Sequence, residues 1–247
     1  MDFKTFVLVA DNHGDQIHRA SAGKFFGWLE DFKPDIRVHL GDNWNFDALR
    51  RGASDADRTI DLKRDLRMGK EFLERLFAEG TTKVLLRGNH DERLWKLRND
   101  PCNAVARGYA QKIVEELEEH LEGIGARMLP YDAEKGVYRL GNLNCVHGYA
   151  HGMGASRTHA RIYGNCVFGH VHRFDSCGEA SLQDRFAQSI GCLAKHDMPY
   201  CADKAYRLGW HHGWAYGVLY SNGKYEIYEA RIGKDGRVAT ATGFTVY

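Results

Sequence analysis

The stretch from Val84 to Glu92, Val-Leu-Leu-Arg-Gly-Asn-His-Asp-Glu, restricts the possible folds of this chain more than any other. An apolar run of strand length ends at Gly88. The next three side chains, Asn89, His90 and Asp91, place an amide oxygen, an imidazole and a carboxylate on consecutive turn positions. Four other segments end the same way. Phe6 to Ala10 runs into Asp11-Asn12-His13, and Asp35 to Leu40 into Gly41-Asp42. Leu143 to Val146 runs into His147-Gly148, and Asn165 to Phe168 into Gly169-His170-Val171-His172. Glycine stands in four of the five blocks, where the backbone must turn tightly or approach a ligand. Ligands of open α/β sheets gather beyond the carboxyl ends of the strands, so five such ends imply one shared site.

Between the first two blocks, Ile17, Ala20, Phe25, Trp28, Leu29 and Phe32 recur at helical spacing, predicting a helix over 16–32 that Pro34 ends. The resulting β-α-β unit calls for a right-handed crossover and parallel strands. Residues 55–79 form a charged segment with a single stripe of Leu62, Leu66, Leu73 and Leu76, read as a surface helix closed by Gly80. Two further helices are expected over 92–98 and 104–121, the second with Val105, Ile113, Val114, Leu117 and Leu121 inward. The signal then turns to strands: 137–140 and 143–146 flank Gly141-Asn142, and 214–220, 225–232 and 237–246 are separated by Asn222-Gly223 and Asp235-Gly236. With 43% hydrophobic residues, a chain of 247 can bury a substantial core. The expected fold class is α/β, two packed mixed β-sheets flanked by helices. It is read as one domain, 1–247, with helical insertions around 50–80 and 100–122 and a hairpin-rich segment over 181–247.

A net charge of +1 from 34 basic and 33 acidic residues excludes the broad electrostatic footprint of a protein that coats nucleic acid. Six scattered cysteines without a C-x-x-C pair, no signal-like leader and no long apolar span lead to the expectation of a cytoplasmic protein with no membrane partner. Oligomeric state is not legible.

Asp11, His13, Asp42, Asn89, His147, His170 and His172 supply carboxylate, imidazole and amide oxygen, a mixture suited to first-row divalent ions. Seven donors are too many for one tetrahedral ion and about right for two ions sharing a carboxylate. Such a pair binds hydroxide at neutral pH, and the reaction class that follows is in-line attack on phosphorus.

In order, the blocks resemble the calcineurin-like metallophosphoesterase superfamily, whose pattern is DxH, GDxxD, GNH(D/E), a lone His, then GHxH. The match runs from Asp11 to His172. The resemblance implies an α/β/β/α sandwich and a binuclear hydrolase. One metal would take Asp11, His13, Asp42 and His172, the other Asp42, Asn89, His147 and His170, and His90 would be the catalytic imidazole facing the scissile phosphate. Manganese is the expected metal, with iron, zinc, nickel or cobalt as alternatives. One departure matters: the second block ends in Asn45 where the family usually has Asp, so the carboxylate that orients the catalytic His is an amide unless Asp15, Asp47 or Asp91 substitutes. That difference resembles the phosphodiesterase branches. The expected substrate is a phosphodiester, in a nucleotide, cyclic nucleotide or nucleic-acid end. A phosphomonoesterase or protein phosphatase is the alternative, and a non-catalytic metal-binding scaffold a further one.

Six arginines, Arg87, Arg93, Arg98, Arg157, Arg161 and Arg173, flank the blocks, and one or two of them are expected to touch substrate. Trp44 and Tyr149 adjoin donor blocks as candidates for stacking on a base. His151, His159, His196, His211 and His212 are read as surface or supporting residues.

Overall fold

The computed structural model of the chain describes residues 2–55, 61–101, 103–183, 185–198, 208–245 and 247. Its first strand, β1 (Phe3–Val9), shows how sequence becomes layer: Phe6, Leu8 and Ala10 face one side of the sheet while Val7 and Val9 face the other, and all five are fully buried. A strand apolar on both faces must be covered on both, and it is. On one side of it β2 (Ile36–His39), β3 (Thr82–Leu86) and β4 (Arg127–Leu129) add in parallel; on the other, β10 (Gly213–Tyr220) pairs antiparallel. β11 (Tyr225–Ile232), β12 (Val238–Thr240) and β13 (Gly243–Thr245) continue that edge, so the sheet has eight strands in the order β13-β12-β11-β10-β1-β2-β3-β4.

The second sheet has five strands. They are β5 (Tyr138–Leu140), β6 (Leu143–Val146), β7 (Cys166–Phe168), β8 (Asp175–Gly178) and β9 (Phe186–Ser189), ordered β5-β6-β7-β9-β8. Leu140 lies opposite Leu143, which makes Gly141-Asn142 the expected two-residue turn. The sheets meet through Phe6, Leu8, Val38 and Leu86 on one side and Leu140, Leu143, Cys145 and Val167 on the other. Helices α1 (Arg19–Phe32), α2 (Leu62–Leu76), α3 (Glu92–Arg98) and α4 (Ala104–Gly123) cover the outer face of the first sheet, and α5 (Ala155–Tyr163) covers the second. The expected two mixed sheets flanked by helices are therefore present.

Details differ from the reading of the sequence for local reasons. The helix expected from residue 16 starts at Arg19, because 14–16 close a separate 3-10 turn, and Ala20 is exposed. Val105, at the first turn of α4, is 84% exposed, so the inward stripe begins at Ala110. The strand expected over 237–246 is broken into β12 and β13 by a turn at 241–242. The first part of the helix expected over 55–79 falls at 56–60, outside the described residues. Among the described residues, no helix is long and apolar enough to cross a membrane.

Candidate metal centre

The parallel strands β1, β2 and β3, and β6 and β7 of the second sheet, all end at one edge of the sandwich, and the turns that follow them carry the expected donors. The backbone there is bent to the task. Asp11, His13, Asp42, His170 and His172 all have left-handed backbones, with φ of 55, 50, 54, 66 and 57°. That conformation costs on the order of 1–3 kcal/mol for each non-glycine residue and persists only where surrounding structure holds it. Cross-block hydrogen bonds hold it here: Asp11 N–H donates to Gly41 O at 3.0 Å, His13 N–H to Asp42 O at 3.0 Å and Gly14 N–H to Asn43 O at 2.7 Å. Gly88 is required by proximity, since a Cβ there would lie 2.1 Å from Asp42 Oδ1.

Each of the two carboxylates is anchored through one oxygen and presents the other. Asp11 Oδ2 accepts the His170 N–H at 2.9 Å, and Asp42 Oδ1 accepts the His90 N–H at 2.8 Å. Asp11 Oδ1 points inward, buried and without a hydrogen bond, with His172 Nε2 at 3.4 Å and His13 Nε2 at 3.9 Å. Asp42 Oδ2 lies 3.4 Å from His147 Nε2 and 3.8 Å from His13 Nε2. Asn89 Oδ1 is 2.8 Å from His170 Nδ1 and 3.1 Å from His147 Nε2. The structure thus brings all seven expected donors together, in two groups, with Asp42 between them.

The tautomers follow from what the other ring nitrogens touch. His147 Nδ1–H donates to Leu40 O at 3.0 Å and His13 Nδ1–H to Asn45 Oδ1 at 3.1 Å, which turns both Nε2 atoms inward. Charge completes the fit to cations. Burial would lower the His147 and His172 imidazoliums, but the Asp42 and Asp11 carboxylates override it and push them up to about 9 and about 10. Burial would likewise raise Asp42, yet His147 and His90 hold it well below the usual carboxylate range. Protons on imidazole supply the positive charge that these carboxylates demand, and divalent ions would supply it in their place. Buried carboxylate oxygens facing imidazole nitrogens, whose protons divalent ions would replace, are a donor set that fits such ions.

His90 sits over this group, its ring 4.5 Å from that of His13. Its Nδ1–H donates to both the side-chain and backbone oxygens of Asn45, each at 3.0 Å, and Arg93 Nη2 lies 3.2 Å from its Nε2. Asn45 Oδ1 therefore accepts from two imidazoles, and its amide N–H donates to Asp47 Oδ2 at 2.7 Å. Asp47 in turn accepts from Arg93 at 3.0 Å. Of the three substitute carboxylates considered from sequence, Asp47 is the one behind Asn45. Asp91 is occupied by the backbone N–H groups of Gly88, Asp42 and Trp44, and Asp15 pairs with Gln16.

Several contributors were invisible in the sequence. Asp65 reaches from α2 to accept the N–H groups of Asn45 and Phe46. His39 donates from Nε2 to Asn12 Oδ1 at 2.6 Å and accepts the Gly41 N–H at Nδ1, tying the first turn to the second; burial pushes it down to about 3 and so keeps it neutral. His39 is a polar residue in an otherwise apolar segment, whereas Asp65 is one charge in a charged helix and carries no signal in the sequence. One expected role does not hold. Trp44 is fully buried, with its indole N–H on Leu66 O, so no base can stack on it. In keeping with one or two of the six arginines at the substrate, Arg87, Arg98, Arg157 and Arg161 are paired with Glu92, Glu118 and Glu179. Arg93 and Arg173 remain at the site; Arg173 lines a crevice of about 620 Å³ over Asp42 and His90, with Met153, Leu208 and Trp210 on its rim.

No family model matches the chain, and no curated protein matches it. Among solved structures it is similar to Vacuolar Protein Sorting 29 from Cryptosporidium parvum (12% identity, 97% of this chain and 96% of that one, TM-score 0.48). It is also similar to a metallophosphoesterase from Sphaerobacter thermophilus (12% identity, 94% and 89%, TM-score 0.47) and to the phosphoesterase Yfce from E. coli (14%, 95% and 96%, TM-score 0.44). Likenesses at this level transfer no activity from one chain to another. It is in its own residues, five ordered donor blocks at strand ends brought to one edge of a two-sheet sandwich, that the chain resembles the calcineurin-like metallophosphoesterase superfamily.

Proposed function

We propose that the protein is a binuclear metal-dependent hydrolase of phosphoesters with a preference for diesters. The observation that carries the reading is the division of the two carboxylates: each has one oxygen tied to backbone and one turned toward imidazole nitrogens, with Asp42 placed to serve both groups. Asp11, His13, Asp42 and His172 would hold one ion, and Asp42, Asn89, His147 and His170 the other. Two such ions lower the pKa of bound water and neutralise charge on phosphoryl oxygens.

The chain's own residues do the rest. His13 and His147 are fixed in the ligating tautomer by Asn45 and Leu40 O. His90 is held by its Nδ1–H, and Arg93, whose Nη2–H donates to His90 Nε2 at 3.2 Å, lies beside it as a cationic donor for a phosphoryl or leaving oxygen. Burial holds the His90 imidazole well below its ordinary value, neighbouring Arg93 disfavours the imidazolium further, and Asn45 cannot support one as a carboxylate would. The pair therefore acts by hydrogen bonding and charge, with little strong acid character. That suits a diester, whose single negative charge needs less neutralisation than a dianionic monoester. A nucleotide, cyclic nucleotide or nucleic-acid end is the substrate class.

Hydrolysis of bis-p-nitrophenyl phosphate against p-nitrophenyl phosphate with added Mn²⁺ tests the reading, and the diester should be the faster. A faster monoester overturns the preference. No hydrolysis of either with Mn²⁺, Zn²⁺, Co²⁺ or Ni²⁺ overturns the enzyme.

A further inference from the structure

Next to His172 lies a second group of donors that the phosphoester reading does not use. Cys192 is fully buried, His196 and His212 partly so, and one ligand atom from each lies within 4.8 Å of the others. Cys192 Sγ is 3.8 Å from His196 Nε2, and the His196 and His212 rings are 3.9 Å apart at their centroids. Two segments meet there. Cys192 and His196 follow β9 at a four-residue spacing, and His212 immediately precedes β10, pairing with Cys192 in an isolated parallel bridge.

Two features separate this group from incidental packing. His212 Nε2–H donates to Ala194 O at 2.8 Å, which leaves Nδ1 as the free lone pair; metal-ligating imidazoles are held by such an outer hydrogen bond. On one side Cys192, Ala194 and Met198 form a small core against Leu208 and Trp210, while His18 stacks on His212 at 4.5 Å and His172 lies beside Cys192. A shell of this kind limits the access of solvent to a bound ion.

We propose that Cys192, His196 and His212 form a third metal site, distinct from the two that share Asp42, for a thiolate-preferring divalent ion such as zinc or cobalt. One thiolate and two imidazoles are a three-ligand zinc set that leaves a fourth position to water. Coordination breaks the Cys192 S–H bond, forms a metal–sulfur bond and releases the proton to solvent, with no change of oxidation state. The His196 and His212 rings are inclined by only 24°, so binding turns at least one of them until the lone pairs converge. An ion there would tie 192–196 to the segment before β10. That segment carries Trp210, whose ring is 4.4 Å from His172, and His211, whose N–H bonds His172 O. The site would thus brace one wall of the crevice.

The inference is independent of the phosphoester reading, because the seven donors of the crevice include no sulfur. Full-length protein is stripped with chelator and titrated with Co²⁺ while bound cobalt and near-ultraviolet absorption are followed. The wild type should show a sulfur-to-cobalt charge-transfer band and bind one more cobalt per chain than Cys192→Ser, which should lack the band. Asp42→Asn should keep it. His212→Gln, with the thiol intact, should need at least about tenfold more cobalt to develop it. A wild type without the band at saturating cobalt, or a Cys192→Ser variant that keeps it, overturns the proposal. Should circular dichroism show Cys192→Ser unfolded, an unchanged band titration in His212→Gln overturns it equally.

Discussion

Replacing Asn45 by Asp gives the site the carboxylate that the family pattern carries, yet the structure forecasts a cost. In the wild type the Asn45 amide donates to Asp47 Oδ2 at 2.7 Å, with both residues buried. In Asn45→Asp that N–H becomes a second oxygen. Two ionised carboxylates at this distance repel by ~6 kcal/mol at an effective dielectric constant of about 20. Arg93, 3.0 Å from Asp47, offsets part of this, and a proton shared between the carboxyls removes most of it. The expected net loss at pH 8 is about 2–4 kcal/mol, or about 5–15 °C in Tm for a chain of this length. The sign with pH follows from linkage. In the variant one carboxyl of the pair has a folded-state pKa above its unfolded value near 4, so the stability is retained at low pH and lost as pH rises through the folded value. Asn45→Asp/Asp47→Asn reverses the donor and acceptor and should recover at least ~1.5 kcal/mol relative to the single variant. Urea unfolding of the wild type, both single variants and the double from pH 5 to 8.5 measures this. A wild-type midpoint for Asn45→Asp at pH 8, a loss that does not change with pH, or a double variant no more stable than the single would refute the reasoning.

Three further outcomes are expected. His90→Ala should leave metal content unchanged and slow diester turnover by ~10², with similar losses for good and poor leaving groups, since His90 acts by hydrogen bonding and by holding Arg93; a loss confined to poor leaving groups would make His90 a proton donor. Asp42→Asn should abolish turnover and lower bound metal, measured by elemental analysis, and full activity in that variant would sink the shared-carboxylate assignment. Leu73→Ala, at a fully buried position of α2, should cost about 2–5 kcal/mol in denaturant unfolding; a loss below about 1 kcal/mol would mean that α2 does not pack into the core.

Local chemistry wrote much of this protein into its sequence. Apolar runs ending in Asp, Asn or His marked β1, β2, β3, β6 and β7, because strands buried on both faces are mostly apolar and the ligand-facing groups of such sheets lie beyond their carboxyl ends. Gly141-Asn142 and Asn222-Gly223 marked hairpins, because tight turns require a positive φ. Helical periodicity located α3 to the residue and α4 nearly so, but placed the start of α2 at 55 rather than at Leu62, where Asp61 caps it, and misjudged Ala20 and Val105, since spacing describes a stripe while packing decides where the stripe begins. What periodicity cannot carry is contact between distant residues. His13 meets His172 across 159 positions, and His90 meets Asn45 across 45. Trp44 stands beside a donor in sequence but turns into the core, while Asp65, 20 residues on, turns back to hold Asn45. The donor types and their places at strand ends were thus determined by the sequence alone. The pairing of carboxylate with imidazole, the Asn45–Asp47–Arg93 support of His90 and the Cys192 group were decided only by the tertiary structure, because each depends on where independent turns arrive in space once two sheets have packed.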